Sequence, residues 1–180
     1  MKFCSECGSP VELTVPPGDD RQRFVCRSCG IVHYQNPRMV VGCIPEWEDK
    51  ILFCRRRIEP RVGKWTLPAG FLENGETVAA GAARETLEEA CARVVGLVPF
   101  ALFNLTFVNQ VYLMFRGRLA EREFAPGEES LEADLLTQAQ VPWEKIAFPV
   151  IRETLRLYFA DRARGRFEFH MGDIGREPFV

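Results

Sequence analysis

The apolar positions of this chain fall into two rhythms. Met39–Ile44 is a β-branched apolar run, Lys50–Arg57 reads as its partner strand, and Pro45–Asp49 separates them. Runs of this length bounded by turn residues predict buried strands joined as a hairpin. Arg61–Gly70, with Trp65, Pro68 and Gly70, reads as a loop. From Val78 to Ala92 strong helix formers dominate, and Thr77 stands ready as N-cap. Val94–Val98, Ala101–Val108, Val111–Leu119 and Leu131–Leu136 return to strand-like patterns. Pro149 suits the first turn of a helix running to about Asp161, and Arg166–His170 reads as a last short strand. Strands around one central helix, with a second helix near the end, predict an α/β (α+β) sandwich.

Three parts are expected: residues 1–35, poor in aliphatic side chains; residues 36–160, which hold the main core; and a polar tail, residues 161–180. Of the 180 residues, 47% are hydrophobic and 27% charged, as expected of a globular domain with a small appendage. A formal net charge of −2 argues against a general nucleic-acid binder or a basic membrane-surface protein. No apolar run approaches the roughly 20 residues that span a bilayer, and the opening segment is not an apolar leader. The expected location is cytoplasmic, where thiols stay reduced. Composition leaves a homodimer open.

The seven cysteines divide unevenly. Cys43, Cys54 and Cys91 are single and read as small buried hydrophobes. Cys4-x-x-Cys7 and Cys26-x-x-Cys29 form two pairs separated by 18 residues. That spacing matches a Cys₄ zinc site, in which four thiolates complete a tetrahedral shell and leave no position for chemistry. Two disulfides or four free thiols are the alternatives. A structural Zn²⁺ would supply folding energy that so short a segment lacks. His33 reads as a packing residue beside the second pair.

The densest chemistry lies between Gly70 and Ala92. Glu85, Glu88 and Glu89 stand at i, i+3 and i+4, on one side of the expected helix. Like charges so close destabilise an isolated helix, so their gathering points to a cation. Hard divalent ions such as Mg²⁺ take these oxygen ligands and bring phosphate with them. A solvated acidic helix face is the alternative.

Gly70, Glu76 five residues on, Arg84-Glu85 seven further, then Glu88-Glu89, resemble the Nudix box G-x₅-E-x₇-R-E-U-x-E-E-x-G-U. Cys91 stands where that pattern has Gly, and Thr86 where it has an aliphatic residue. The resemblance implies a Nudix-type α/β/α sandwich with a mixed sheet, behind a small zinc ribbon. It implies catalytic Mg²⁺ or Mn²⁺ held by Glu85, Glu88 and Glu89 with the Gly70 carbonyl, and Arg84 as an orienting ion-pair partner to Glu76. A glutamate from a later loop completes such sites, and Glu129 in Pro126–Glu132 matches it; an ordinary acidic surface loop is the alternative.

Beyond the box, Tyr34–Cys43, Lys64–Gly70, Phe124–Gly127 with Glu129–Glu132, Ile146–Phe148 and Phe167–His170 resemble the plant plastid FAD pyrophosphatase subgroup and its bacterial relatives. The implied reaction splits a dinucleotide: FAD into FMN and AMP, with ADP-ribose as a further substrate. The post-box motif of NADH pyrophosphatases is missing from Val98–Leu105, and Val108 stands where ADP-ribose pyrophosphatases carry proline. NADH pyrophosphatase or nucleotide-cap hydrolase is the alternative, and a non-catalytic nucleotide-sensing module the second. Arg55 and Arg57 share a strand face and are expected to hold substrate phosphate, with Phe71 and Tyr112 as ring contacts. The expected partner is a small dinucleotide, without nucleic acid or membrane.

Overall fold

A computed structural model describes residues 1–175. The chain divides into two compact units, Met1–Pro37 and Arg38 onward.

The first unit is a three-stranded antiparallel sheet in order β1 (Val11–Thr14), β2 (Arg23–Cys26), β3 (Val32–His33). It buries almost nothing: only Cys4, Pro16 and Cys26 are shielded from solvent. So small a core cannot offset the entropy of ordering the segment. The four sulfurs are gathered where a bound metal would cross-link the segment. Cys7 Sγ lies 3.5 Å from Cys26 Sγ and 3.6 Å from Cys29 Sγ, and Cys4 Sγ lies 3.7 Å from Cys29 Sγ. All four lie within 4.8 Å of one another. A tetrahedron with metal–sulfur arms of about 2.3 Å has edges of about 3.8 Å, so the donors fit Zn²⁺ and are far too distant for disulfides. His33 Nε2 lies 3.3 Å from Cys4 Sγ, a contact to a sulfur from outside the set.

The second unit is built on one mixed sheet. Its strands are β4 (Arg38–Trp47), β5 (Lys50–Arg56), β6 (Trp65–Thr66), β7 (Ala69–Phe71), β8 (Val94–Leu105), β9 (Gln110–Leu119), β10 (Ser130–Thr137) and β11 (His170–Asp173). The order is β10-β5-β4-β9-β8-β11, with β6 on β5 and β7 on β4. β4 runs parallel to β9 and β11 parallel to β8; the other pairs are antiparallel. Helix α1 (Val78–Ala90) covers one face over Val41, Leu52, Cys54 and Phe115. Helix α2 (Pro149–Arg164) covers the other over Ile44, Ile51, Phe53, Phe100 and Met114. Neighbouring residues of one strand therefore enter different cores, which is why these strands read as continuous apolar runs.

The helix ends follow their sequences. Thr77 is extended, and its hydroxyl accepts a hydrogen bond from Ala80 N–H at 3.1 Å. Cys91 closes α1 in the left-handed region at φ 48°, donating its N–H to the Leu87 carbonyl. The turn thus keeps the conformation in which a glycine would be unstrained.

Several elements depart from the sequence expectation. Arg61–Gly70, read as a loop, contains β6 and the start of β7, which pair with β5 and β4. β4 continues through Pro45 to Trp47; β5 pairs with it only from Glu46, so the missing amide of Pro45 is not called on from that side. β8 runs unbroken from Val94, with Pro99 accommodated at irregular register. Residues 106–108 form a 3₁₀ turn instead of extending the strand. The last strand is 170–173, not 166–170, because the preceding amides are drawn to Asp161 at the end of α2. Arg166 N–H donates to its carbonyl and Glu168 N–H to its carboxylate.

Asp161 is fully buried and also meets Arg164 and His170. Burial pushes its carboxyl up, but Glu168 N–H, His170 and Arg164 more than offset this and hold it at about 2. Among the described residues no helix is long and apolar enough to cross a membrane.

Two outcomes are expected. Cys26→Ser should remove bound metal by elemental analysis and speed amide exchange across residues 11–33; unchanged metal content would refute the four-sulfur site. A carboxyl whose pKa is depressed on folding from 3.8 to about 2 stabilises above the higher value. That contribution is lost as pH falls through the lower one. Asp161→Asn should therefore lower stability at pH 7 by about 2 kcal/mol and flatten the loss between roughly pH 4 and 2. Thermal melts across that range check it.

Candidate functional site

The loop from β7 into α1 and the later turns of that helix bring the box residues together. Gly70 has no room for a side chain: a Cβ there would lie 2.3 Å from the Glu85 carboxylate. The β7 backbone is thus pressed onto that acid. Arg84 ties the rest. Its Nε and Nη2 grip Glu76 at 3.1 and 2.8 Å, and Nη2 also donates to the Phe71 carbonyl at 3.0 Å. Its Nη1 donates to Glu85 at 2.7 Å and Glu88 at 2.9 Å. Arg84 pulls Glu76 down to about 2, and the partnership raises the arginine's own pKa. Glu76 further accepts the Glu73 N–H at 2.8 Å. One guanidinium therefore fixes the entry loop, orients two helix carboxylates and offsets their repulsion.

Glu89 faces inward and is 6% exposed. Burial, then the Glu85 charge, push it up to about 8; Arg56 and the Ala69 N–H oppose this only partly. Burial likewise raises Glu85, with Glu88 and Glu129 adding to the push and Arg84 opposing it. Glu88 is exposed. Two largely buried carboxylates without enough positive charge form a donor set that suits a hard divalent cation. Glu129 is exposed at the end of the loop before β10, and its charge acts on both Glu85 and Glu89. Loop and helix acids thus share one neighbourhood.

The expected phosphate-binding arginines are not the ones whose charge is felt at Glu89. Arg55 donates to the Gly63 carbonyl at 3.1 Å and pairs with Glu132 at 3.4 Å. Arg57 is exposed, and its N–H donates to the Glu129 carbonyl at 2.8 Å. Arg56, between them, is the one whose charge reaches Glu89 and Tyr112, with its guanidinium over the Phe148 ring at 5.1 Å. Strand alternation puts it opposite its neighbours, so a choice of two residues sharing one face passed over it. Tyr112 is half-buried on β9 against the α2-side core. Phe71 is exposed and stacks under Arg38 at 4.6 Å.

Residues 36–158 match the family described as NUDIX domain, and residues 2–35 match the family described as Nudix N-terminal, a zinc ribbon. A curated relative, the NAD-capped RNA hydrolase NudC of Photobacterium profundum, is 29% identical over 167 residues, 90% of this chain. The chain spans only 61% of that relative's length. A crystal structure of a NUDIX hydrolase from Nitrosomonas europaea is 51% identical, with a TM-score of 0.94 over 98% of this chain and all of that one. An ADP-ribose pyrophosphatase from Streptococcus suis shares the fold at 18% identity, with a TM-score of 0.58 over 77% of this chain and all of that one. With its box assembled on α1 and more than half its length matched, the chain belongs to the Nudix hydrolase family and carries the N-terminal zinc ribbon of that family.

Proposed function

We propose that this chain is a metal-dependent pyrophosphohydrolase that splits a dinucleotide diphosphate into two mononucleotides. The observation that carries the reading is the Arg84-ordered set of Glu85, Glu88 and Glu89, with the Gly70 backbone held against Glu85. Glu85, Glu88, Glu89 and the Gly70 carbonyl are the residues that would hold Mg²⁺ or Mn²⁺. Such an ion supplies charge neutralisation for phosphate oxygens and Lewis-acid activation of water. The residues around it do the remaining work. Arg84 orients the acids, Arg56, whose charge reaches Glu89, is the candidate to hold a substrate phosphate, and Glu129 is the candidate to accept a proton. Phe71 and Tyr112 are candidate ring contacts. Arg55 and Arg57 are left to the rim. In the first unit, Cys4, Cys7, Cys26 and Cys29 would hold structural Zn²⁺. The reading places the enzyme in the cytoplasm, where such thiols stay reduced.

FAD is the first substrate we propose, on the resemblance of segments outside the box, and ADP-ribose the next. A second reading, hydrolysis of a nicotinamide dinucleotide, free or as an RNA cap, is favoured by the likeness to the NAD-capped RNA hydrolase across both units. FAD, ADP-ribose, NADH and NAD-capped RNA, each offered with Mg²⁺ and with products identified by mass, separate these readings. Absence of turnover on all four would overturn the proposal.

Glu89→Gln should lower turnover on the order of 10³-fold. Its melting temperature should not fall, because a neutral amide in that buried position carries no charge to desolvate. Wild-type rates in this variant would show that the assigned carboxylates are not the site.

A further inference from the structure

The loop that carries Glu129 is seated on the backbone of α1, not on the side chains of the box. An α-helix ends with carbonyls that have no partner of their own. At the end of α1, Cys91 satisfies Leu87, and the carbonyls of Glu89 and Ala90 are taken by the loop before β10. Gly127 N–H donates to the Glu89 carbonyl at 3.0 Å, and Ala125 N–H to the Ala90 carbonyl at 2.9 Å. The buried Cys54 thiol reaches the same Glu89 carbonyl at 3.6 Å. The approach is close enough to exclude any side chain at Gly127. A Cβ there would lie 1.7 Å from the Glu88 carbonyl oxygen and 2.8 Å from its carbon. Both are helix backbone, which cannot swing aside.

Beyond Gly127 the loop is pinned twice more. Ser130 N–H returns to the Gly127 carbonyl at 3.1 Å, and Arg57 N–H donates to the Glu129 carbonyl at 2.8 Å. On the near side Phe124 packs against the cluster of Leu52, Ala90, Ala92 and Leu135. Glu129 is only two residues from a point locked onto the backbone of Glu88 and Glu89, so the loop can shift little without losing those bonds. The peptide groups at the end of α1 thus also fix the acid that arrives on the loop before β10.

We propose that Gly127 is a positioning residue: its lack of a side chain lets the 124–129 loop dock on the last turn of α1 and sets where the Glu129 carboxylate stands relative to Glu85 and Glu89. This rests on the reading of those acids as a metal-dependent hydrolytic site. It adds a requirement that the box pattern does not contain, a glycine some forty residues downstream.

The test is a double-mutant cycle between Gly127→Ala and Glu129→Gln, read two ways. Turnover is followed on FAD, ADP-ribose and NADH with Mg²⁺, separating kcat from KM. Mn²⁺ binding is followed by electron paramagnetic resonance with Mn²⁺ alone. Gly127→Ala should lower kcat on the order of 10²-fold, as an ångström-scale displacement does, with KM changed by less than about threefold. In the Glu129→Gln background the same change should add little, because the acid it positions is gone. Mn²⁺ affinity should show the same non-additivity. Ala125→Pro, which removes one docking amide without adding a clash at position 127, should shift kcat in the same direction, and it serves alone should Gly127→Ala fail to fold. Additive losses, or a folded Gly127→Ala protein with wild-type kcat, overturn the proposal. If no substrate is hydrolysed but Mn²⁺ binding still shows the coupling, the hydrolytic reading fails while the positioning role stands. Uncoupled Mn²⁺ binding in that case overturns the positioning role as well.

Discussion

Everything at the carboxylate site depends on one cation being supplied by the chain itself. Glu85, Glu88 and Glu89 lie within four residues, and a helix bearing them unaided would be weakened by their repulsion. Arg84 sits one residue before them and spends its donors on Glu76, Glu85, Glu88 and the Phe71 carbonyl. It therefore links the loop after β7 to the second turn of α1 and leaves Glu89 the acid least compensated. The site can be folded without a bound ion and still hold unused affinity for one. A lysine at position 84 would keep the charge but could not span four acceptors, because a point-like ammonium lacks the planar fork.

The same logic separates what could be read in the sequence from what could not. Local rules placed α1, because Thr77 caps it and its interior is alanine-rich, and the box spacing fixed which side chains share its face. The four cysteines were legible because thiolate spacing maps directly onto a tetrahedron. Arg56 was not legible. Choosing among three consecutive arginines needs the register of β5 against β6 and β10, a long-range fact. The docking of Gly127 was hidden for the same reason, since nothing near it in sequence mentions the carbonyls of α1. The misplaced last strand also failed on a tertiary contact: the alternation of Arg166–His170 is real, but the buried carboxylate of Asp161 outbids the sheet for the first amides. Cys91 shows the converse. A residue poorly suited to the left-handed region adopts it anyway, because the helix must turn into β8 there.

The likeness to the Nitrosomonas europaea structure covers 98% of this chain, whereas that to the more distant pyrophosphatase covers 77%. That contrast fits the division of labour in the molecule. The sandwich supplies a frame on which many substrates could be handled, so the fold by itself does not choose among them.

The two donor sets also differ in softness. Sulfur atoms gather in the first unit and carboxylate oxygens in the second, and polarisable thiolates and hard oxygens prefer different ions. Each set is thereby a poor competitor for the metal suited to the other. A chain built this way offers a soft ion and a hard one separate donor sets. Scarcity of the soft metal would first unmake the small sheet, whose core is too slight to stand alone, while the sandwich and its acids keep their form.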